Sequence, residues 1–370
     1  MSIKELIIGA VVGGVVGLVI NELLGNPTTR AIQSCKRLIV KLWYKIFGHK
    51  PTDSGCFSFG NKQTSVYLLE AKGDWIGIAP RNIQISVDPD HDVKQGTMTE
   101  EIAYFCDSFS AELQDRTIDS KGVNWNGKPL SLYEYTDTRT AGDESVLIRL
   151  TLLKNEYNTT KIVTNHLQDI CPITGRRMRD YIDSYDFCRS NSYELPNSIG
   201  VCFLVETKDG KVIFAHRDKE AGFRPDEWDV SVVEGLEEKK DAPGNIVDIK
   251  SVFLRAYKEE ICNIEESNFR LTILGLVIDK KYGQWNFIGK VNCSLTEKEI
   301  RSRRANGDVE DRWELRELVF CDSNLKAIMG FLSTHKMWDM GLVTVYYSLL
   351  AMGETRGDVD KAIRRHYTDL

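Results

Sequence analysis

The sequence has no C-x-x-C pair, no P-loop, no H-E-x-x-H and no G-x-S-x-G. Those absences remove the commonest signatures of zinc sites, nucleoside triphosphatases, metalloproteases and serine hydrolases. Histidine is scarce: the six present are scattered, with none at metal-ligand spacing. The nine cysteines are an odd number without paired spacing, which argues against a disulfide framework and for reduced thiols in a cytosolic setting. No internal repeat or low-complexity tract occurs, and residues 30–50 contain no acidic side chain at all. At 370 residues the chain is longer than one hydrophobic core usually organises, so more than one domain is expected.

What is present begins with an apolar run. Leu6 to Ile20 carries no charge, and Leu23 and Leu24 extend it. A membrane span needs about 20 such residues. The segment MSIKE is barely basic and no A-x-A-like site follows, which disfavours a cleaved signal peptide. The run also lacks the polar face of a helix in a soluble core, so residues 1–25 read as one transmembrane helix. Gly9, Gly13 and Gly17 recur every four residues and would stack on one face, where two helix backbones could approach. Simple packing slack is the alternative.

Residues 26–50 read as a basic amphipathic juxtamembrane helix. Lys36, Arg37, Lys41 and Lys45 interleave with Ile32, Leu38, Ile39, Leu42 and Trp43, a pattern suited to an anionic leaflet. The positive-inside rule then places everything after residue 25 in the cytoplasm. Residues 1–25 contribute −1 and residues 26–50 contribute +6, leaving −11 of the total of −6 to the remainder. Such an acidic body gives no support for a DNA- or RNA-binding surface.

Pro51 to Gly60 reads as a linker opening a small β-rich domain over residues 51–190. Strands are expected at Ser65 to Leu69, Trp75 to Ile78, Ile83 to Val87, Leu130 to Tyr135 and Ser145 to Leu153, and a helix over Thr99 to Leu113. In residues 191–370, Ile199 to Val205 and Lys211 to His216 flank the turn Lys208-Asp209-Gly210, a hairpin signal. Strands at Leu271 to Ile278, Trp285 to Val291 and Glu314 to Phe320, then a helix over Leu342 to Met352, complete the order.

Between these strands lies the stretch WDVSVVEGLEEKKDAPGNIVDIKSVFLRAYKEEICNI. Its second half is amphipathic: Ile246, Ile249, Phe253, Ala256, Tyr257 and Ile264 recur at helical spacing, and Gly244-Asn245 supply a break and an N-cap. Arg255 and Glu259 are one turn apart and can pair. Glu259 and Glu260 are adjacent carboxylates, able to hold a hard cation such as Mg²⁺ or simply to be a solvated face.

The stretch resembles a degenerate Nudix box, G-x5-E-x7-R-E-U-x-E-E-x-G-U. Arg255 matches the Arg, Tyr257 the first bulky position, and Glu259 and Glu260 the paired metal carboxylates. Gly235 resembles the opening glycine, but six extra residues separate it from Arg255. Ala256 replaces a metal-binding Glu, Cys262 the late glycine and Asn263 the last apolar residue. Val247, beside Asp248, stands where the upstream Glu belongs. The resemblance implies an α+β class, an α/β/α Nudix sandwich over about residues 197–355, preceded by the β-rich domain and the transmembrane helix.

Candidate ligand-binding residues are Arg217, Trp228, Glu234, Arg255, Trp285 and Trp313, with Tyr282, Arg224, Arg301, Arg303 and Arg304 in reserve. Aromatic faces can stack a base and guanidinium groups can meet phosphates; ordinary core and solvated helix ends are the alternatives. The whole order resembles the transmembrane–Nudix effectors of bacterial CBASS antiphage immunity. That resemblance implies a cyclic oligonucleotide ligand made by a partner CD-NTase synthase, and self-association in the bacterial inner membrane. It requires no cofactor, although Mg²⁺ remains compatible with Glu259 and Glu260. The competing expectations are a membrane-tethered, Mg²⁺-dependent hydrolase of a nucleoside diphosphate derivative, and a scaffold for a protein partner.

Overall fold

In the computed structural model the described residues are 55–71, 77–116, 127–139, 145–185, 192–219, 221, 223–307, 309 and 315–367. The expected transmembrane helix, with Gly9, Gly13 and Gly17, and the juxtamembrane helix, with Lys36, Arg37, Lys41 and Lys45, lie outside them. Among the described residues no helix is long and apolar enough to cross a membrane.

The fold is mixed α/β. Its strands are β1 (Cys56–Phe59), β2 (Lys62–Ala71), β3 (Ile83–Asp92), β4 (Leu130–Arg139), β5 (Val146–Lys154), β6 (Ser198–Glu206), β7 (Lys211–Arg217), β8 (Trp228–Val230), β9 (Val232–Gly235), β10 (Ile246–Val247), β11 (Phe269–Asp279), β12 (Gln284–Cys293) and β13 (Leu315–Asp322). The helices are α1 (Val93–Gly96), α2 (Glu100–Arg116), α3 (Tyr157–His166), α4 (Arg179–Ser184), α5 (Glu238–Asp241), α6 (Ile249–Glu260), α7 (Glu297–Ala305), α8 (Leu325–Leu332), α9 (Asp339–Ala351) and α10 (Arg356–His366).

Nine strands form one sheet in the order β1-β2-β11-β12-β6-β7-β13, with β8 on β7 and β9 on β6; β12 and β6 run parallel. A second sheet has the order β10-β3-β5-β4. Strand β6 shows why the large sheet is a central layer. Its side chains alternate, so Ile199, Val201, Phe203 and Val205 enter the core that holds α6, while Cys202 and Leu204 enter the core that holds α9. Both sets are buried, which explains the continuous apolar run IGVCFLV. Helix α6 presents Phe253, Ala256 and Tyr257 at 0% exposure. Fully burying a side chain of the Phe class contributes about 1.5–3 kcal/mol.

The expected boundary near residue 190 falls inside one compact unit, Cys56–Leu370. Both sheets cross it. Strand β2 pairs with β11 (Tyr67 opposite Ile278), and β10 pairs with β3 (Ile246 opposite Ser86). The strand expected to end at Val87 continues through Pro89 to Asp92, and helices α3, α8 and α10 have no counterpart in the sequence reading.

Candidate functional site

The amphipathic helix forms as expected, but its start is corrected. Gly244 and Asn245 both have φ of 64°, the left-handed conformation of a turn, and Ile246 is 66% exposed rather than part of the apolar face. The N-cap is Asp248, whose carboxylate accepts from the amides of Lys250 and Ser251. Ile249 then starts the buried stripe.

Gly200 sets the approach of β9. A Cβ there would lie 2.3 Å from the Glu234 carbonyl oxygen, so only glycine lets β9 pair this closely at Gly200–Gly235. Strand β9 thereby brings Glu234 to Arg255. The Arg255 guanidinium uses every nitrogen. Its Nε donates to Asp241 Oδ1 (2.8 Å), and Nη1 donates to Glu259 Oε2 (2.7 Å) and Glu234 Oε1 (3.1 Å). Its Nη2 donates to Asp241 Oδ2 (2.7 Å) and the Gly235 carbonyl (2.9 Å). Burial opposes its charge, but the hydrogen bond to Asp241 and the three carboxylates outweigh burial and raise its pKa. Lys240 reaches the other Glu259 oxygen, Oε1, at 3.2 Å. Partial burial disfavours that ammonium too; Glu237 and Glu259 override it and raise its pKa.

Asp241 is the residue that spacing concealed. It stands at the sixth position after Gly235, the G-x5-E spacing with Asp for Glu. The six extra residues therefore lie downstream of it. They make the turn at Gly244 and strand β10, which docks on β3 and returns the chain to α6. A carboxylate at position 241 with no apolar periodicity around it gave no other signal.

At Glu259 and Glu260 the carboxylates expected to hold Mg²⁺ are differently placed: Glu259 is held by cations and Glu260 is buried beside it. Both Glu259 oxygens already meet cations, Ala256 offers no ligand, and among the described residues no group of three or more Asp, Glu, His or Cys is placed to hold a metal. Glu260 is 3% exposed, and its backbone carbonyl accepts from Arg304.

The other candidates scatter. Trp285 is corrected: it is 1% exposed and packs edge-on against Tyr193 at 5.1 Å, so its faces are core surface and cannot take a base. Trp313 lies outside the described residues. Trp228 stacks on His216 at 4.4 Å with the rings 3° from parallel. Arg217 Nε donates to the Phe223 carbonyl at 2.9 Å. The Arg run divides its labour. Arg304 donates to the carbonyls of Glu260 and Ile261 and so caps the C-terminal end of α6, while Arg303 donates to the Asn263 carbonyl beyond it. Arg301 pairs with Glu297 and lies over Phe320, 4.5 Å from the ring centre.

Beside this cap a cavity of about 570 Å³ opens between α7 and β13. Its wall includes Arg301, Arg304, Arg316, Asp218, Glu317 and Phe320, over a floor of Ile300, Leu315 and Leu318. Arg316 escaped the sequence reading because an alternating strand gives no reason to single out one exposed cation.

No protein-family model matches this chain, and neither does any curated protein. Solved structures are similar to parts of it, two of them with MutT in their names. The MutT protein from Methanosarcina mazei Go1 is 14% identical, over 44% of this chain and 100% of that one, with a TM-score of 0.27. A MutT/nudix family protein from Enterococcus faecalis is 12% identical over 50% and 78%, with a TM-score of 0.26. DR0079 from Deinococcus radiodurans is 13% identical over 46% and 83%, also at 0.26.

Proposed function

We propose that residues 56–370 are a degenerate Nudix-type unit that binds a phosphate-bearing nucleotide without hydrolysing it. One observation carries this reading: both oxygens of Glu259 are held by cations, Arg255 and Lys240, while Ala256 stands at the third ligand position. A metal-assisted phosphoryl displacement needs ions clamped on the attacking and leaving oxygens, and a Glu259 already held on both oxygens by cations argues against such a clamp. The cavity between α7 and β13 has the size of a small-molecule site, about 300–1,000 Å³. Arg301 and Arg316 offer charge-assisted bonds to phosphate, and Phe320 offers an apolar ring. A cyclic oligonucleotide, with several phosphates and no free end, fits that combination.

In the wider reading, the N-terminal segment anchors the chain in the bacterial inner membrane and self-associates when ligand gathers the cytoplasmic units. A synthase of the cyclic nucleotide is then the functional partner, and membrane disruption in antiphage defence is the output. Titration calorimetry of the full chain against cyclic di- and trinucleotides, with mass spectrometry of the mixture in Mg²⁺, tests the binding reading. Binding with the nucleotide recovered intact is expected. Turnover of a nucleoside diphosphate derivative that Glu260→Gln abolishes would establish the hydrolase instead. Arg316→Ala should weaken binding roughly tenfold, the loss of about one charge-assisted hydrogen bond.

A further inference from the structure

Three large apolar side chains stand exposed among the described residues: Ile170 (66%), Ile173 (70%) and Ile246 (66%). Two of them share one loop, which is tightly built. Ile170 bridges Arg177, Cys171 N donates to the Arg176 carbonyl at 2.8 Å, and Gly175 N donates to the Cys171 carbonyl at 2.8 Å. Gly175 has φ of 67° and nothing near its Cβ position, so the turn is set by its own hydrogen bonds and not by a neighbour. Cys171 and Met178, both 0% exposed, plug the two feet of the loop into the core. Behind it, buried Glu101 accepts from Thr174 and from Tyr181 Oη (2.9 Å). The loop is thus held by its base and its back while Ile170, Pro172 and Ile173 face water.

The charges around this tip are uneven. Residues 170–177, ICPITGRR, contain two arginines and no acid. The neighbouring carboxylates Asp169, Asp180 and Asp183 are paired with His166, Arg177 and Arg179. Arg176 is exposed, and so is Lys281, in the turn whose Lys280 carbonyl accepts from Arg179.

We propose that the loop at residues 170–177 is a lipid-surface contact: Ile170 and Ile173 enter the headgroup boundary of an anionic bilayer, and Arg176 and Lys281 meet the lipid phosphates. Apolar side chains flanked by cations are the composition that binding at such an interface requires. The length of the leash supports this occupant. Only residues 51–55 separate the basic segment ending at Lys50 from β1. Five residues span at most about 18 Å, and Cys56 lies opposite Tyr67, itself opposite Ile278, two residues from the Lys280 carbonyl that accepts from Arg179, so a membrane-held basic segment keeps the loop near the same surface. This step rests on the membrane attachment proposed above.

The test separates the two. The full chain is floated with vesicles of phosphatidylcholine alone or with anionic phosphatidylglycerol, carrying an environment-sensitive fluorescent amino acid at position 173 or, as a control, at position 246. Flotation reads attachment of the chain; emission reads the loop. The expected result is a blue shift at 173, larger on anionic vesicles, with none at 246, and loss of that shift in Ile170→Asp with Arg176→Glu while the chain still floats. Flotation without a shift at 173, or equal shifts at both positions, overturns the loop contact and leaves attachment standing. Failure to float with no shift overturns both.

Discussion

Two arginines, Arg224 buried and Arg255 half-buried, sit on opposite faces of the large sheet and are held in opposite ways. Arg255, on α6, donates from every nitrogen to Asp241, Glu234, Glu259 and the Gly235 carbonyl. Arg224, in the β7–β8 connection, has φ of 48° and a side chain 2% exposed, yet makes one hydrogen bond, Nη2 to Asp229 Oδ2 at 2.6 Å. Its Nε and Nη1 have no hydrogen-bond partner. What holds it instead is the face of Trp338, 3.7 Å from the guanidinium carbon. The first arginine organises a polar cluster that would fall apart without it. The second is one half of a close pair with Asp229, with the Glu227 carboxylate farther off, 3.9 Å from its Nη1. A buried charge is costly to orphan, whereas a buried pair can be replaced as a unit.

The largest expected effect follows from the first case. Arg255→Ala leaves three carboxylates facing one another and should cost about 3–5 kcal/mol in urea unfolding; a loss below 1 kcal/mol would show that the cluster is solvated. Next, Asp229→Ala leaves the Arg224 guanidinium with only Glu227, 3.9 Å away, and should cost about 3 kcal/mol, while Arg224→Met combined with Asp229→Leu should come within about 1 kcal/mol of wild type. Equal damage from the single and the double change would erase the distinction between hub and pair. Asp241→Asn is milder. It keeps an acceptor for Arg255 but loses the charge, and about 1.5 kcal/mol is expected.

The smallest effect is a pH dependence on the Trp338 side of the sheet. Burial raises the pKa of Asp279, against the hydrogen bonds from Ser65 and Trp338 that favour its charged form. An acid with a raised folded-state pKa holds a proton that the unfolded chain has lost, so its contribution to stability falls as pH rises from about 4. Asp279→Asn should remove that fall between pH 4 and pH 7 without changing the plateau of other groups. An unchanged slope in denaturation curves across that range would place the pH dependence elsewhere.

Much of the fold was legible because its signals are local. The β6–β7 hairpin announces itself through IGVCFLV, Lys208-Asp209-Gly210 and KVIFAH, and Gly210 indeed takes φ of 72°. Helix α6 follows from the spacing of Ile249, Phe253, Ala256 and Tyr257, all buried on one face. The site was only half legible. Arg255 and Glu259, one turn apart, pair as helical spacing dictates. Trp285 misled because an aromatic residue at a strand end looks the same in sequence whether its ring meets a ligand or Tyr193.

The sequence by itself determined the strand periods, the box helix and its adjacent carboxylates, because period and capping are properties of neighbours along the chain. Only the tertiary structure decided the rest. It carried β2 across some two hundred residues to β11, spent the six extra box residues on β10 against β3, and so brought Asp241 onto Arg255. It also set Arg304 on the C-terminal carbonyls of α6 and Arg303 on the Asn263 carbonyl beyond them. The physical reason is common to all of these. A hydrogen bond between residues distant in sequence depends on where the intervening chain can pack, and no local pattern of residue types encodes that.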